Sequence, residues 1–196
     1  MKLIPLLLLT GMLAVSGWAE DTKPEPYSAG LVKRAEAGDA KAQLKLAECY
    51  DDGNGVTQDY KEAVKWHAKS AEQGNAKAQN NLGSFYYAGN GVTQDYIEAV
   101  KWYAKSTGQG NADAQFNLGV CYYQGKGVTE DKKEAVKLFT KSAEQGDAMA
   151  QCLLGLCYEK GTGVAEDVKE AVKWYAKSAE QGNDSAKRKL EELKSK

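Results

Sequence analysis

The sequence predicts an all-α solenoid, an open stack of helix pairs, and three observations lead to this fold class. First, the segment EAVKWYAKSAEQGN at 170–183 occurs in variant form from Glu62, Glu98 and Glu134, so that successive copies start 36 residues apart. Second, apolar residues within each copy recur at helical spacing. Third, glycines and acidic residues at fixed positions mark helix ends. Such a period is typical of stacked units that bury their apolar faces only against their neighbours.

The chain begins with a segment that we interpret as a secretory signal. Lys2 precedes an apolar run from Leu3 to Val15, and the small residues Gly17 and Ala19 suit cleavage after Ala19. The run is short for a membrane span, although a retained N-terminal anchor is the alternative. We therefore expect residues 1–19 to be removed from an exported protein, either periplasmic or secreted.

The rest of the chain divides into a leader, four units and two half units. Residues 20–30 contain prolines but no apolar periodicity, which predicts a flexible leader before a solenoid over residues 31–196. Leu31 to Gly38 matches the end of a second helix, and the charged segment 183–196 is predicted to be a C-terminal capping helix. The four units have equal lengths and span 39–74, 75–110, 111–146 and 147–182.

Each unit is predicted to contain two helices, which in the first unit run from Ala40 to about Asp52 and from Asp59 to about Gln73. Glycines such as Gly53 and Gly55 end the first helix. An aspartate with a glutamate three residues later predicts a capping box at the start of the second. These pairs are Asp59 with Glu62, Asp95 with Glu98, Asp131 with Glu134, and Asp167 with Glu170. The next first helix is capped by Asn75, Asn111 or Asp147.

The first helices have one face that is constant among the units and one that varies. The constant residues lie within an arc of about 100°; in the second unit they are Ala78, Gln79, Leu82 and Tyr86. Inside these helices stand Gly83, Gly119 and Gly155, with Ala47 in the first unit. Glycine costs about 1 kcal/mol there relative to alanine, so we expect a neighbouring helix to approach closely.

The varying face is the candidate binding surface, since it is expected to line the concave side of the stack. It changes from charged residues in the first unit to apolar residues in the third and fourth. The candidate partner-binding residues are Phe116, Val120, Tyr123, Met149, Leu153 and Leu156. An apolar stretch on an exposed face can mark a partner site. Alternatively, a tight superhelix or the terminal helix covers these residues, and the sequence leaves both interpretations open.

The repeated pattern A-x-A-Q-x-x-L-G-x-x-Y-x-x-G-x-G-V, followed by D-x-x-E-A-V-K-W-Y-x-K-S-A-x-Q-G, resembles the Sel-one-like repeat, a relative of the tetratricopeptide repeat. In the second unit it is carried by Ala76, Ala78, Gln79, Leu82, Gly83, Tyr86, Gly89, Gly91, Val92, Asp95, Glu98, Ala99, Val100, Lys101, Trp102, Tyr103, Lys105, Ser106, Gln109 and Gly110. The resemblance covers nearly all of residues 31–196. It implies a right-handed superhelix that serves as a scaffold or adaptor for other proteins.

The resemblance also implies a second hypothesis. Exported relatives include a cysteine-rich branch with one disulfide in each unit, and some of these bind or slowly hydrolyse penicillin-like compounds. The alternative function is therefore an enzyme acting on cell-wall-like or penicillin-like compounds. The positions that correspond to those paired cysteines hold other residues here, namely Ala71 and Gln79, Thr107 and Gln115, and Ala143 and Gln151. The disulfide pattern of that branch is thus absent from this sequence.

The four cysteines present are predicted to be thiols. Cys49, Cys121 and Cys157 share one position of the first helix, which Phe85 occupies in the second unit. Neighbouring helices lie about 8–10 Å apart, whereas a disulfide requires Cα atoms within about 7 Å. Cys152 lies five residues before Cys157 and points to a different side of the helix.

The sequence predicts no catalytic, metal or cofactor site. His67, the single histidine, takes the place of Tyr103, Phe139 and Tyr175 and is predicted to be a packing residue. The glycine-rich loops lack a following GK[ST], and no ligand cluster is apparent. The balance of 26 basic and 27 acidic residues argues against a nucleic-acid partner. We expect a monomer without a membrane span after the signal, and a protein or peptide partner.

Overall fold

A computed structural model describes residues 26–194, which form ten α-helices and, within that range, no strands. The helices are α1 (Ala29–Glu36), α2 (Ala40–Asp52), α3 (Tyr60–Glu72), α4 (Ala76–Ala88), α5 (Tyr96–Gly108), α6 (Ala112–Gln124), α7 (Lys132–Glu144), α8 (Ala148–Lys160), α9 (Val168–Glu180) and α10 (Asp184–Lys194). The predicted all-α fold of repeated helix pairs is confirmed. The predicted signal segment and most of the predicted leader lie outside the described residues.

The helices pack in chain order. Each first helix, α2, α4, α6 or α8, contacts the second helix of its own unit and the second helix of the preceding unit. α1 takes the place of a preceding second helix for α2, and α10 covers α9. The buried side chains therefore form a series of clusters along the stack rather than one central core. This arrangement is that of a solenoid.

The N-terminal half unit begins earlier than the sequence pattern indicated. Ser28 caps α1, and its hydroxyl accepts a hydrogen bond from the Leu31 amide at 3.1 Å. Leu31 is fully buried. Just before this helix, Tyr27 packs edge-on against Tyr50, with ring centroids 5.9 Å apart. Residues 27–30, assigned to the leader from the sequence, thus belong to the packed stack.

The acidic caps of the second helices are present, but the predicted capping box is only half formed. The Asp59 carboxylate accepts from the amides of Lys61 and Glu62 at 2.9 and 3.2 Å. The reciprocal bond to the Asp59 amide is not made by Glu62, because that amide donates to the Tyr50 carbonyl at 2.9 Å. Glu62 instead pairs with Lys65 at 3.0 Å. The other three units repeat this arrangement.

The glycines inside the first helices are explained by aromatic rings of the second helices. A Cβ atom on Gly83 would lie 2.8 Å from Cδ1 of Tyr103. The equivalent distances are 2.7 Å from Gly119 to Phe139 and 2.8 Å from Gly155 to Tyr175. The predicted close approach is confirmed, since real Cβ atoms do not come this near to other heavy atoms.

A repeated hydrogen-bond clamp explains the constant glutamine of the first helices. Gln79 of α4 donates to the Ala71 carbonyl of the preceding unit at 3.0 Å and accepts from Gln109 of its own unit at 2.7 Å. Ser106 adds a bond from its hydroxyl to the Ala76 carbonyl at 2.7 Å. A buried side-chain amide thus satisfies backbone and side-chain groups of two neighbouring helices.

The loop between the two helices of a unit also contacts the preceding unit. Gly91 has a φ of 65°, and a Cβ atom there would overlap with the backbone carbonyl group of Tyr60. Gly127 meets Tyr96 in the same way. Glycine is needed at this position both for its left-handed conformation and for the close approach of the two backbones.

Candidate functional site

The varying face of the first helices is the inner face of the stack, where side chains of consecutive first helices meet. Lys77 of α4 reaches Glu48 of α2, with Nζ 2.8 Å from Oε1. Asn117 of α6 donates from Nδ2 to Oδ1 of Asn80 of α4 at 2.9 Å, and both amides are buried. The inner face is therefore partly closed by pairs of residues from adjacent units.

Two of the six predicted partner-binding residues lie in the core. Phe116 is 3% exposed and Val120 is 6% exposed, and the ring centroids of Phe116 and Phe139 are 6.0 Å apart. For these two side chains, the alternative interpretation of burial within the stack holds. Both side chains belong to a core cluster with residues of α7 and α8, so a position that varies among the units can still be buried.

The other four predicted residues remain half-buried and form the apolar surface, Tyr123, Met149, Leu153 and Leu156. The first three pack on the edge of the core cluster shared by α6, α7 and α8. Leu156 packs instead against the cluster of Ala171, Tyr175 and Ala186, which Leu190 and Leu193 of α10 also contact. The structure does not test whether these four residues bind a partner, and that assignment stays a prediction.

A buried carboxylate on α8 pairs with groups of α9 and α10 at the C-terminal end of the stack. Glu159 of α8 accepts a hydrogen bond from the Tyr175 hydroxyl at 2.7 Å and pairs with Lys160 at 2.8 Å and with Lys189 of α10 at 3.6 Å. Burial raises the pKa of Glu159, but the hydrogen bonds from Lys160 and Tyr175 outweigh it and hold the pKa below its usual range. This role of Glu159 was not predictable from the sequence, because a single glutamate on a helix carries no signal of burial.

The opposite end of the inner face is acidic. Burial, together with the neighbouring charges of Asp52 and Glu48, raises the pKa of Asp51 to about 6. Burial also acts to raise the pKa of Glu48, yet its bonds to Lys77 and Lys45 lower it below the usual range. The first unit thus presents a carboxylate that loses part of its charge near neutral pH.

Lysines stack on tyrosines at two successive places along the stack, in two different arrangements. Lys126 lies over the rings of Tyr87 and Tyr96, at 4.9 and 5.1 Å from the centroids, and donates to the Tyr87 hydroxyl at 3.0 Å. One unit later, Lys132 occupies the position of Tyr96 and lies 3.9 Å from the ring centroid of Tyr123. Each arrangement retains a cation over an aromatic ring.

The cysteines and the histidine show no feature of a reactive centre. The structure records Cys49, Cys121, Cys152 and Cys157 as thiols, as predicted. Burial raises the pKa of Cys152 to about 11 and that of Cys121 and of Cys157 to about 12, so these three are protonated thiols at neutral pH. His67 is buried against Phe85 at a centroid distance of 5.4 Å, which confirms its packing role.

Neither a metal cluster nor a membrane-crossing helix occurs in the part of the chain that the structure describes. Among residues 26–194, no three His, Cys, Asp or Glu side chains come together as a metal site would require. None of the helices in that range combines the length and the apolar character that crossing a bilayer requires.

Comparison with known families gives four consecutive matches to the Sel1 repeat, at residues 40–75, 76–111, 112–147 and 148–183. The chain belongs to the Sel1 repeat family. Each matched Sel1 repeat begins one residue after the corresponding unit assigned from the sequence. Proteins built from Sel1 repeats generally mediate protein–protein interactions. A comparison with curated protein sequences gives no significant match.

Solved structures include similar Sel1 repeat proteins. A protective antigen of uropathogenic Escherichia coli with an SLR fold is 46% identical over 80% of this chain and 34% of that chain, with a TM-score of 0.77. A Sel1 repeat protein from Oxalobacter formigenes is 40% identical over 82% of this chain and 64% of that chain, with a TM-score of 0.78. This chain therefore spans about a third and about two thirds of their lengths.

A more distant structure shares the Sel1 fold alone. An immunity protein from Pseudomonas aeruginosa is 24% identical over 80% of this chain and 58% of that chain, with a TM-score of 0.55.

Proposed function

We propose that this Sel1 repeat protein is a non-catalytic adaptor that binds a protein or peptide partner on the inner face of its third and fourth units. The observation that carries the proposal is the apolar surface, where Tyr123, Met149 and Leu153 remain half-buried at the edge of a core cluster. Half-buried apolar side chains lose their remaining contact with water when a partner covers them.

The surroundings of the apolar surface favour a binding role. Lys160, on the same helix as Met149 and Leu153, keeps an exposed ammonium group beyond its pair with Glu159, and such a charge can orient a polar partner group. The same half of the stack holds Phe116 and Val120 in its core, so the surface rests on a rigid base. Rigid, preorganised surfaces lose less conformational entropy on binding.

The test is affinity capture from the native compartment with three forms of the protein. Leu153→Asp places a charge on the apolar surface without removing a fully buried side chain. Ile97→Asp is the matched control, because Ile97 is 60% exposed on α5, away from that surface. We expect mass spectrometry to find a protein retained by the unsubstituted chain and by Ile97→Asp but lost from Leu153→Asp.

The contrary outcome is equally specific. If Leu153→Asp retains every protein that the unsubstituted chain retains, the apolar surface does not bind the partner. Circular dichroism of both variants establishes that the helices are intact before capture results are compared.

We also propose that the protein acts after export, as its N-terminal sequence suggests. An intact mass that begins at Glu20, measured on protein from its native host, would support export with cleavage, whereas a mass that retains Met1 would contradict cleavage of the signal.

A further inference from the structure

The junction between the first and second units contains a buried imidazole without a hydrogen-bond partner. His67 of α3 is 0% exposed, and within residues 26–194 neither Nδ1 nor Nε2 has a partner. Tyr103 and Tyr175 occupy the same position in other units and donate their hydroxyls to Ser84 at 3.2 Å and to Glu159 at 2.7 Å. The third unit has the apolar Phe139 instead. Only the first unit leaves polar atoms unsatisfied at this position.

The charged groups around His67 come from the two helices packed against α3. Glu48 of α2 would favour an imidazolium, but its carboxylate already pairs with Lys45 at 2.9 Å and with Lys77 at 2.8 Å. Lys77, on α4, disfavours a second positive charge nearby. Phe85 of α4 also packs on the imidazole with its apolar ring. Neither ring nitrogen of His67 therefore has an acceptor in contact, and the Glu48 carboxylate is already shared by two lysines.

Protonation of His67 is consequently linked to separation of the helices. Burial lowers the pKa of His67 to about 4, and Glu48 only partly opposes it. Once α3 is separated from its neighbours, the imidazole regains an ordinary pKa of about 6.5. Between these values the open state binds more protons than the closed state, so the closed state loses stability as the pH falls.

We propose that the α3–α4 junction is an acid-sensitive joint, at which mild acidification raises the fraction of molecules whose first and second units have separated. A solenoid permits such local opening because each unit contacts only its neighbours. Separation breaks the bridge between Glu48 and Lys77, which crosses this junction, and so divides the inner face. The proposal concerns regulation of the scaffold and does not depend on partner binding at the apolar surface.

Protonation of Asp51 changes the stability of the folded state in the opposite direction, so any test must distinguish its effect from that of His67. Its pKa is raised to about 6 in the folded chain, so the folded state binds a proton more readily than the unfolded chain does. Acidification through this range therefore stabilises the fold at Asp51 while it destabilises the junction at His67. The comparison must change His67 and leave Asp51 in place.

The first experiment is hydrogen exchange of the full chain at pH 7 and pH 5, corrected for intrinsic exchange rates. The matched variant combines His67→Phe with Ala47→Gly, which recreates the glycine and phenylalanine pair of the third unit and adds no hydroxyl near Asp51. We expect the opening constant of α3 to rise about 20-fold more in the unsubstituted chain than in the variant between these pH values. Equal increases in the two proteins would overturn the proposal.

A second measurement needs no substitution. His67 is the only histidine in the chain, so its ring resonances in an NMR titration are unambiguous. We expect the imidazole to stay neutral while α3 and α4 remain closed, and to titrate only as their amides lose protection. An imidazole that titrates near pH 6.5 with the fold intact would overturn the proposal, whether or not the variant folds.

Discussion

At the scale of single residues, the four units preserve the combined side-chain volume of two contacting positions, one on the first helix and one on the second, rather than the identity of either residue. Gly83, Gly119 and Gly155 each face a six-membered ring, whereas Ala47 stands in the unit where that ring is the smaller imidazole of His67. A methyl group and a smaller ring occupy roughly the volume that a hydrogen atom and a larger ring occupy elsewhere.

Gly83→Ala tests this size constraint by the sign of its effect. Alanine normally stabilises a helix interior by about 1 kcal/mol relative to glycine. Here the added methyl group would collide with Tyr103, so we expect the free energy of unfolding to fall by roughly 1–3 kcal/mol in urea denaturation.

Gly108→Ala is the control for this prediction. Gly108 is also helical, at the end of α5, but a Cβ atom there meets no heavy atom within 4 Å. This substitution should leave stability unchanged or increase it. Equal stabilisation by both substitutions would show that the ring of Tyr103 does not limit the space at Gly83.

The residues also show what a single sequence could and could not reveal about the candidate site. Constant residues such as Gln79 were correctly assigned to packing, because in every unit this glutamine is buried and accepts a hydrogen bond from the glutamine that follows the second helix. Variation was a poor guide to exposure, because Asn80 pairs with Asn117 at one junction while Phe116 packs on Phe139 nearby. Each junction can be closed by its own pair, and only coordinates show which residues meet.

At the scale of helices, the boundaries were predictable because the signals are local. Glycine after the first helix and aspartate before the second determine where the backbone hydrogen bonds of each helix stop and start. The role of the following glutamate was not predictable, because the Tyr50 carbonyl, from the preceding helix, already takes the amide that the glutamate would bind.

Substitutions at the start of α3 distinguish the contributions of Asp59 and Glu62 to stability. Asp59→Ala removes an acceptor for two backbone amides and should lower the free energy of unfolding by about 1 kcal/mol. Glu62→Ala removes only an exposed ion pair with Lys65, so its effect should stay below about 0.5 kcal/mol. Chemical denaturation of both variants measures the difference. If Glu62→Ala lowered the free energy of unfolding as much as Asp59→Ala, Glu62 would contribute to capping as a full capping box requires.

At the scale of the whole molecule, the fold is a sum of adjacent contacts. No contact between distant units is needed to bury the apolar faces, because each first helix packs between two second helices that flank it in the chain. The period alone was therefore sufficient to predict the architecture. The sequence could not predict how much of the inner face stays open, because that depends on how closely the helices of adjacent units approach.

Deletion of residues 111–146 tests the claim of adjacent packing most directly, by joining Gly110 to Asp147. The face that α8 would present to α5 carries Ala150, Gln151 and Leu154, which repeat Ala114, Gln115 and Leu118 of α6. We expect circular dichroism to show the same helical signal per residue and a single thermal transition at a lower temperature. Loss of the helical signal would mean that the units depend on contacts beyond their neighbours, and would contradict the account.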